Sequence, residues 1–481
     1  MSDTLDNQKE KSNVFVNSIK SGVIWNSLLA FGRQGLNFIA TIVLARLLMP
    51  EDYGLLGMMA IFISVSEVLM EAGLGAALIK KKNVKLIDYS TLTTYNIAVS
   101  IVLYIIIFFI APYISVFYST SSLNIYIRIY ALVILIDSFS IVPKVQLMKG
   151  LFFKRLSILN ISSGLCGLIG AIVLAFMEFG VYSLIFQYII SSLILTLSLV
   201  FVTHYKPKLQ FSIASFKEMI VFGVNTTGAN ILKSSTENVF VNAVAKICPL
   251  STAGYFNQSY KLQNVLSSVC NTVIDGALFP ILSKESDGSI VRHSTSLNFY
   301  SMIFLSFVVF LLIINVDFIV YIILGEKWMG TIPFLKVFLF FGLIQTYTSL
   351  NRNLLKSLGI TLDILIVETI ASVVCLSLVF ILGYDIDHLL AVLLLYAMIR
   401  FILSITALHL KNIIHIVDSI SISMKATLPS FLPFIICIVL AKVFFINSIV
   451  LHNLIYILLF VVISRIMRFR VLSLVKRIIN D

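Results

Sequence analysis

Asn257, Lys261, Asn264, Ser268, Asn271 and Asp275 recur at steps of 4, 3, 4, 3 and 4, so all six share one face of a helix. The chemistry open to such a file is binding, not bond making: amides hydrogen-bond a polar guest and a lysine neutralises an anion. Shorter files repeat the theme: Asn26, Arg33, Asn37 and Thr41; Ser64, Glu67 and Glu71; Asn230, Lys233 and Glu237. Arginine forks two hydrogen bonds onto a phosphate, whereas lysine acts as a point charge. Arg33, Asn37, Lys233, Lys261, Asn264 and Asn271 are therefore the candidate substrate-binding residues. Three cations among them face four acids, Glu67, Glu71, Glu237 and Asp275, which are the candidates for ion coupling or gating. Glu67 and Glu71 lie one turn apart and repel each other, an arrangement suited to carrying a proton or a sodium ion. Plainer accounts stand beside these: Lys233 pairs with Glu237, Glu67 pairs with Arg33, and the amides only hold helices together.

Other chemistries find no residues to carry them. No G-x-x-x-x-G-K-[ST] loop occurs, the six histidines are dispersed, and the five cysteines form no CxxC pair. Neither an enzyme, a bound cofactor, a metal centre nor a disulfide framework is expected. The net charge of +12 does not point to nucleic acid, because the lysines and arginines sit in short links between apolar runs.

The elements that must position these side chains follow from composition. Of 481 residues 59% are hydrophobic and only 12% charged, and the mean hydropathy is +1.02. At ~20 apolar residues per crossing this is a polytopic membrane chain, and its long continuous apolar runs exclude a β-barrel. Fourteen helical spans are expected, near 22–48, 54–79, 89–115, 123–142, 156–177, 180–203, 217–246, 251–280, 293–314, 331–355, 359–382, 387–408, 429–446 and 449–467. The stretch 317–324 is too short to cross and either extends the ninth span or lies at the interface.

Alternate links carry the cations, including Lys80, Lys81, Lys82 and Lys85, then Lys144, Lys149, Lys154 and Arg155, then Lys206, Lys208 and Lys217. By the positive-inside rule both termini are cytoplasmic. Residues 1–20 read as a retained cytoplasmic tail, not a signal peptide.

Twelve charges remain at membrane depth: Arg33, Glu67, Glu71, Arg128, Asp137, Lys233, Glu237, Lys261, Asp275, Asp363, Glu368 and Arg400. Left in lipid they would cost roughly 30 kcal/mol, so they pair or face water. Seven of the twelve lie on the first, second, seventh and eighth spans, which nominates those helices as a cavity wall. The other five are expected to make structural pairs, and Gly164, Gly167 and Gly170 to let two helices pack closely.

The chain also repeats itself. Leu44-Ala45-Arg46-Leu47-Leu48-Met49-Pro50-Glu51-Asp52-Tyr53-Gly54 is echoed by Val244-Ala245-Lys246-Ile247-Cys248-Pro249-Leu250-Ser251-Thr252-Ala253-Gly254. Six spans separate the copies, so the repeat is parallel, about an axis along the membrane normal. The expected organisation is a tail (1–20), an N-lobe (21–203), a linker (204–216), a C-lobe (217–408), a second linker (409–428), two further spans (429–467) and a basic tail (468–481). The expected fold is all-α, with two parallel six-helix lobes around a central cavity plus two C-terminal helices.

With that motif, followed by Glu71-Ala72-Gly73-Leu74-Gly75-Ala76-Ala77-Leu78-Ile79, the chain resembles the Wzx-type polysaccharide flippases of the multidrug/oligosaccharidyl-lipid/polysaccharide (MOP) exporter superfamily. The resemblance implies alternating-access translocation of an undecaprenyl-diphosphate-linked oligosaccharide across the bacterial inner membrane. It also implies cavity cations, which map to Arg33, Lys233 and Lys261, a lipid-tail groove near 429–467, and partners among polysaccharide polymerase and chain-length machinery. A cation-coupled small-molecule exporter of the same superfamily, and less readily a membrane-embedded polymerase or ligase, are the competing expectations.

Overall fold

The computed structural model describes residues 32, 34–36, 38–282, 287–358, 360–411, 413, 416–444 and 449–480, with the side chains of 222–226, 229–230, 269–297, 356–357, 361, 417, 441–444, 449 and 466–480 outside the description. The first helix is α1 (Gln34–Leu47). It is followed by α2 (Pro50–Glu71), α3 (Leu74–Lys80), α4 (Leu86–Phe117), α5 (Leu123–Tyr130), α6 (Leu132–Ser138), α7 (Ile141–Lys149), α8 (Phe153–Phe176) and α9 (Val181–Thr203). The remainder are α10 (Ile213–Ile247), α11 (Leu250–Leu282), α12 (Asp287–Ile314), α13 (Val316–Ile323), α14 (Ile332–Ser357), α15 (Thr361–Leu382), α16 (Ile386–Leu410), α17 (Ile416–Phe444) and α18 (Ile449–Asn480). No strand occurs among the described residues.

Where its residues are described, each expected span falls on helix. Among the described residues eight helices are long and apolar enough to cross a membrane, or ten if each of two bent pairs is one span. Shorter apolar stretches occupy Gln34–Leu47 and Val450–Arg465. The remaining two, α10 and α11, are 35 and 33 residues long but rich in Asn, Ser and Thr. Their polarity sets them apart from the lipid-facing helices.

Helices start where side chains satisfy the first-turn donors. Pro50 opens α2, and Asp52 accepts the Met49 N–H at 3.0 Å; Asp88 accepts the Lys85 N–H at 2.8 Å before α4. The second span breaks after Glu71, where Ala72 has φ 40° and Gly73 φ 67°, a left-handed turn that the glycine adopts without strain. The fourth span is three helices, α5 to α7, with a 41° bend, and continues to Lys149, beyond the expected limit of 142. The short stretch after the ninth span is its own helix, α13, turned 70° from α12.

Two compact units divide the chain, 1–254 and 255–481. In the first, α8 and α9 pack face to face as the glycine series implies: a Cβ on Gly167 would lie 2.6 Å from the Gln187 carbonyl oxygen. The seventh expected span, α10, packs on α2, α3 and α4 of this same unit. One end of α10 is latched there. Lys81 Nζ bridges Asp88 at 3.2 Å and Glu218 at 2.8 Å, and Asp88 also accepts the Ser215 hydroxyl at 2.5 Å. The segment before α10 lies along α4, with Ser212 N–H donating to Thr91 Oγ1 at 3.1 Å and Thr94 Oγ1 donating to the Gln210 carbonyl at 3.1 Å.

In the second unit α17 and α18 pack on α12. Ser306 meets Ser430 at 3.1 Å, and Asn315 and Asn453 exchange amide hydrogen bonds at 2.8 and 2.9 Å. The centre of α14, α15 and α16 holds a buried ion pair, Arg400 to Glu368 at 2.7 Å.

Candidate functional site

The polar residues of α10 and α11 serve two ends, and the structure separates them. On α10, Asn238 donates to Ser64 Oγ of α2 at 3.1 Å, and Asn242 accepts the Tyr118 hydroxyl at 2.7 Å. Two amides one turn apart thus fasten α10 to its own unit, which is the adhesive role of polar groups between membrane helices. Lys233 lies 3.9 Å from Glu237 on the next turn, with 27% and 11% of the side chains exposed. That matches the simple pairing expected from their spacing, and it leaves the lysine partly accessible.

On α11 two polar files run side by side. Gln258, Ser259, Gln263 and Ser267 are buried: Ser259 donates to the Thr331 carbonyl at 3.2 Å, Gln263 donates to Ser267 at 2.6 Å, and Gln263 lies against Gly342 of α14. A Cβ at position 342 would sit 2.4 Å from the Gln263 amide, so the glycine is what admits it. The other file is the expected one. Asn257 is buried, while Lys261, Asn264 and Ser268 are half-buried and keep contact with the exterior of the unit. An ammonium group is costly in hydrocarbon, so this face of α11 needs polar surroundings.

Arg33 and Asn37 lie outside the described residues, as do the side chains of Asn271 and Asp275. Glu67 and Glu71 are exposed, and Glu71 is the last residue of α2 before the left-handed break. The five remaining deep charges divide. Arg400 and Glu368 pair, Arg352 stands 3.9 Å from the same carboxylate, and Lys411 meets Asp363 at 3.3 Å. Arg128 lies 4.0 Å above the Phe108 ring and donates to its carbonyl at 3.2 Å. Asp137 ends α6 and accepts the Ser192 hydroxyl of α9, a neutral partner where an ionic one was expected. Among the described residues no three His, Cys, Asp or Glu side chains gather as a metal site.

Sequence reading missed the buried file 259, 263 and 267 and the pair Asn238 and Asn242. Their steps of four residues were the available signal. It was masked because both files lie on helices already marked by more strongly charged neighbours.

Known proteins share this architecture. The Escherichia coli K12 lipopolysaccharide biosynthesis protein WzxC is 23% identical over 334 residues, covering 68% of this chain and 67% of the relative. The Bacillus subtilis teichuronic acid biosynthesis protein TuaB is 23% identical over 303 residues, covering 61% and 62%. Among solved structures, the lipid II flippase MurJ in an inward closed conformation superposes with TM-score 0.73 at 16% identity, covering 93% of this chain and 99% of that one. The MATE multidrug transporter DinF-BH superposes with TM-score 0.60 at 15% identity, covering 82% and 96%. These likenesses establish a multi-pass membrane fold that resembles those of MurJ and DinF-BH. A family model described as polysaccharide biosynthesis protein matches residues 43–333, more than half of the length, and the chain belongs to that family.

Proposed function

We propose that this protein is a flippase that moves an undecaprenyl-diphosphate-linked oligosaccharide, the repeat unit of a surface polysaccharide, across the bacterial inner membrane by alternating access. The observation that carries the reading is the half-buried file of Lys261, Asn264 and Ser268 on a helix whose other polar file is sealed inside its unit. A cation and an amide along one half-buried face suit a diphosphate with attached sugars. Family membership and the names of WzxC and TuaB support the substrate class. Lys233 and Arg33 join Lys261 as headgroup ligands in this reading, with Asn37 and Asn271 on the sugars.

No covalent bond is made or broken. Both termini are cytoplasmic in this scheme, and Glu67, Glu71, Glu237 and Asp275 are the groups through which proton or sodium coupling would act. Polysaccharide polymerase and chain-length machinery are the partners that would take up the delivered unit.

The test is complementation of a flippase-null strain. Loss of one charge-assisted contact to phosphate is worth about 1.5–3 kcal/mol, so Lys261→Ala should cut transport roughly tenfold or more, while Lys261→Arg retains most of it. Full complementation by both Lys261→Ala and Arg33→Ala would remove the headgroup site. Drug efflux on expression, with no effect on surface polysaccharide, would replace the reading with that of a small-molecule exporter.

A further inference from the structure

Pro112 lies inside α4 and carries no N–H, so the carbonyl of Phe108, four residues earlier, loses its helical donor. A carbonyl opened in this way in a membrane helix needs another partner. Arg128 of α5 supplies it: its Nε donates to the Phe108 carbonyl at 3.2 Å, and its guanidinium carbon lies 4.0 Å from the centre of the Phe108 ring. The arginine thus mends a break in the backbone of α4. Among the described residues no carboxylate pairs with it.

The repair consumes one donor of five. The two terminal nitrogens keep their four N–H groups, and the positive charge stays whole. Their surroundings are apolar and face outward. Ile125, Arg128 and Leu132 follow at steps of 3 and 4 along α5 and α6, and Ile125 and Leu132 are exposed while Leu123, Ile127 and Tyr130 are buried. On α4, Phe108, Phe109 and Tyr113 are exposed as well. Arg128 itself is half-buried and stands five residues after the start of α5, about 7.5 Å along its axis. The neighbouring α4, at 32 residues, is about 48 Å long against a hydrocarbon core of ~30 Å, a surplus of about 9 Å at each end. The guanidinium therefore sits where acyl chains give way to headgroups. A cation facing acyl chains is costly, and a lipid phosphate at that depth neutralises it with oxygens that match the arginine fork.

We propose that Arg128 forms a phospholipid site, binding the phosphate of an anionic lipid headgroup while Phe108, Ile125 and Leu132 meet the acyl chains. The site belongs to the outer leaflet in the orientation proposed above. It lies on other helices than the polar file of α11 and does not depend on what the protein transports.

Quenching by brominated lipid tests it locally. Ile125→Trp places a reporter one turn from the guanidinium, and the parent, with Trp25 and Trp328, gives the background to subtract. Full-length protein is reconstituted in mixtures of phosphatidylcholine and phosphatidylglycerol, with one or the other brominated in its acyl chains, and quenching of the reporter gives their relative affinity. Phosphatidylglycerol should be favoured at least about threefold, and Arg128→Met should bring the ratio to about one. If Arg128→Met alone does not fold, its combination with Pro112→Ala, which returns a backbone donor to the Phe108 carbonyl, carries the test. A preference absent from the reporter protein, or unchanged by Arg128→Met, overturns the lipid site and leaves Arg128 as a repair of the helix alone. Excess inorganic phosphate should leave the ratio as it is. If it abolishes the preference, the site takes a free anion and the lipid assignment falls.

Discussion

The buried ion pair at the centre of α14, α15 and α16 yields the most quantitative prediction. Arg400 and Glu368 lie 2.7 Å apart with 3% of each side chain exposed, and Arg352, 22% exposed, stands 3.9 Å from the same oxygen. Glu368→Gln leaves two guanidinium groups facing a neutral amide, and breaking a buried pair from one side costs about 3–5 kcal/mol. Arg400→Met is milder, because Arg352 can close on the carboxylate, and costs about 1–3 kcal/mol. Replacing both, Glu368→Leu with Arg400→Met, removes the fully buried pair together and leaves only the partly exposed Arg352, so it should recover at least about half of the loss seen in Glu368→Gln. At about 2–4 °C per kcal/mol for a unit of this size, Glu368→Gln lowers the melting temperature in detergent by roughly 10 °C. A double-mutant cycle on thermal melts reads the coupling directly. A melting temperature unchanged in Glu368→Gln, or a double variant as damaged as the worse single one, would refute the argument.

Two further outcomes follow from the latch on α10 and its surroundings. Lys81→Met should release the 204–216 segment, read as faster limited proteolysis there. Its hydrogen bond to Glu218 raises the Lys81 pKa above 10.5, so the contribution is complete below that pH and is lost only as pH climbs through the raised value. Cleavage should therefore be flat between about pH 6 and 9 in the parent as far as Lys81 is concerned. Lys149 donates to the carbonyls of Leu78 at 2.9 Å, Ile79 at 3.3 Å and Lys81, satisfying the end of α3. Lys149→Met should cost about 1–3 kcal/mol on a thermal melt, whereas an undisturbed melt would mean that water replaces the ammonium without loss.

Much of the helical plan was legible because a bilayer-facing helix must be apolar along its length, a property that composition alone displays. Ile97 to Ile110 announces α4 in this way, and the Pro50 and Pro249 punctuation marks where α2 and α11 begin. Breaks were harder. Ala72 and Gly73 interrupt the second span inside one predominantly apolar run, and the interruption resides in two φ angles. The same holds for the bends inside the fourth and ninth spans. Polarity on α10 and α11 was visible, but its division between fastening and accessible faces was not. Asn238 finds Ser64 and Gln263 finds the space left by Gly342, and those partners lie 174 and 79 residues away in the chain. Asp137 was expected to make a structural pair, and the hydroxyl that it accepts, from Ser192 on α9, lies 55 residues away in the chain.

Reconstitution tests the central claim most directly. Purified protein in liposomes, loaded in the inner leaflet with an undecaprenyl-diphosphate-linked oligosaccharide, should bring the glycan within reach of an external membrane-impermeant glycosidase. Glycan cleavage should exceed that of protein-free liposomes, and Lys261→Ala should slow it while leaving incorporation unchanged. Cleavage no faster than in empty liposomes, by protein that remains folded in the bilayer and carries the cognate repeat unit, would contradict the account.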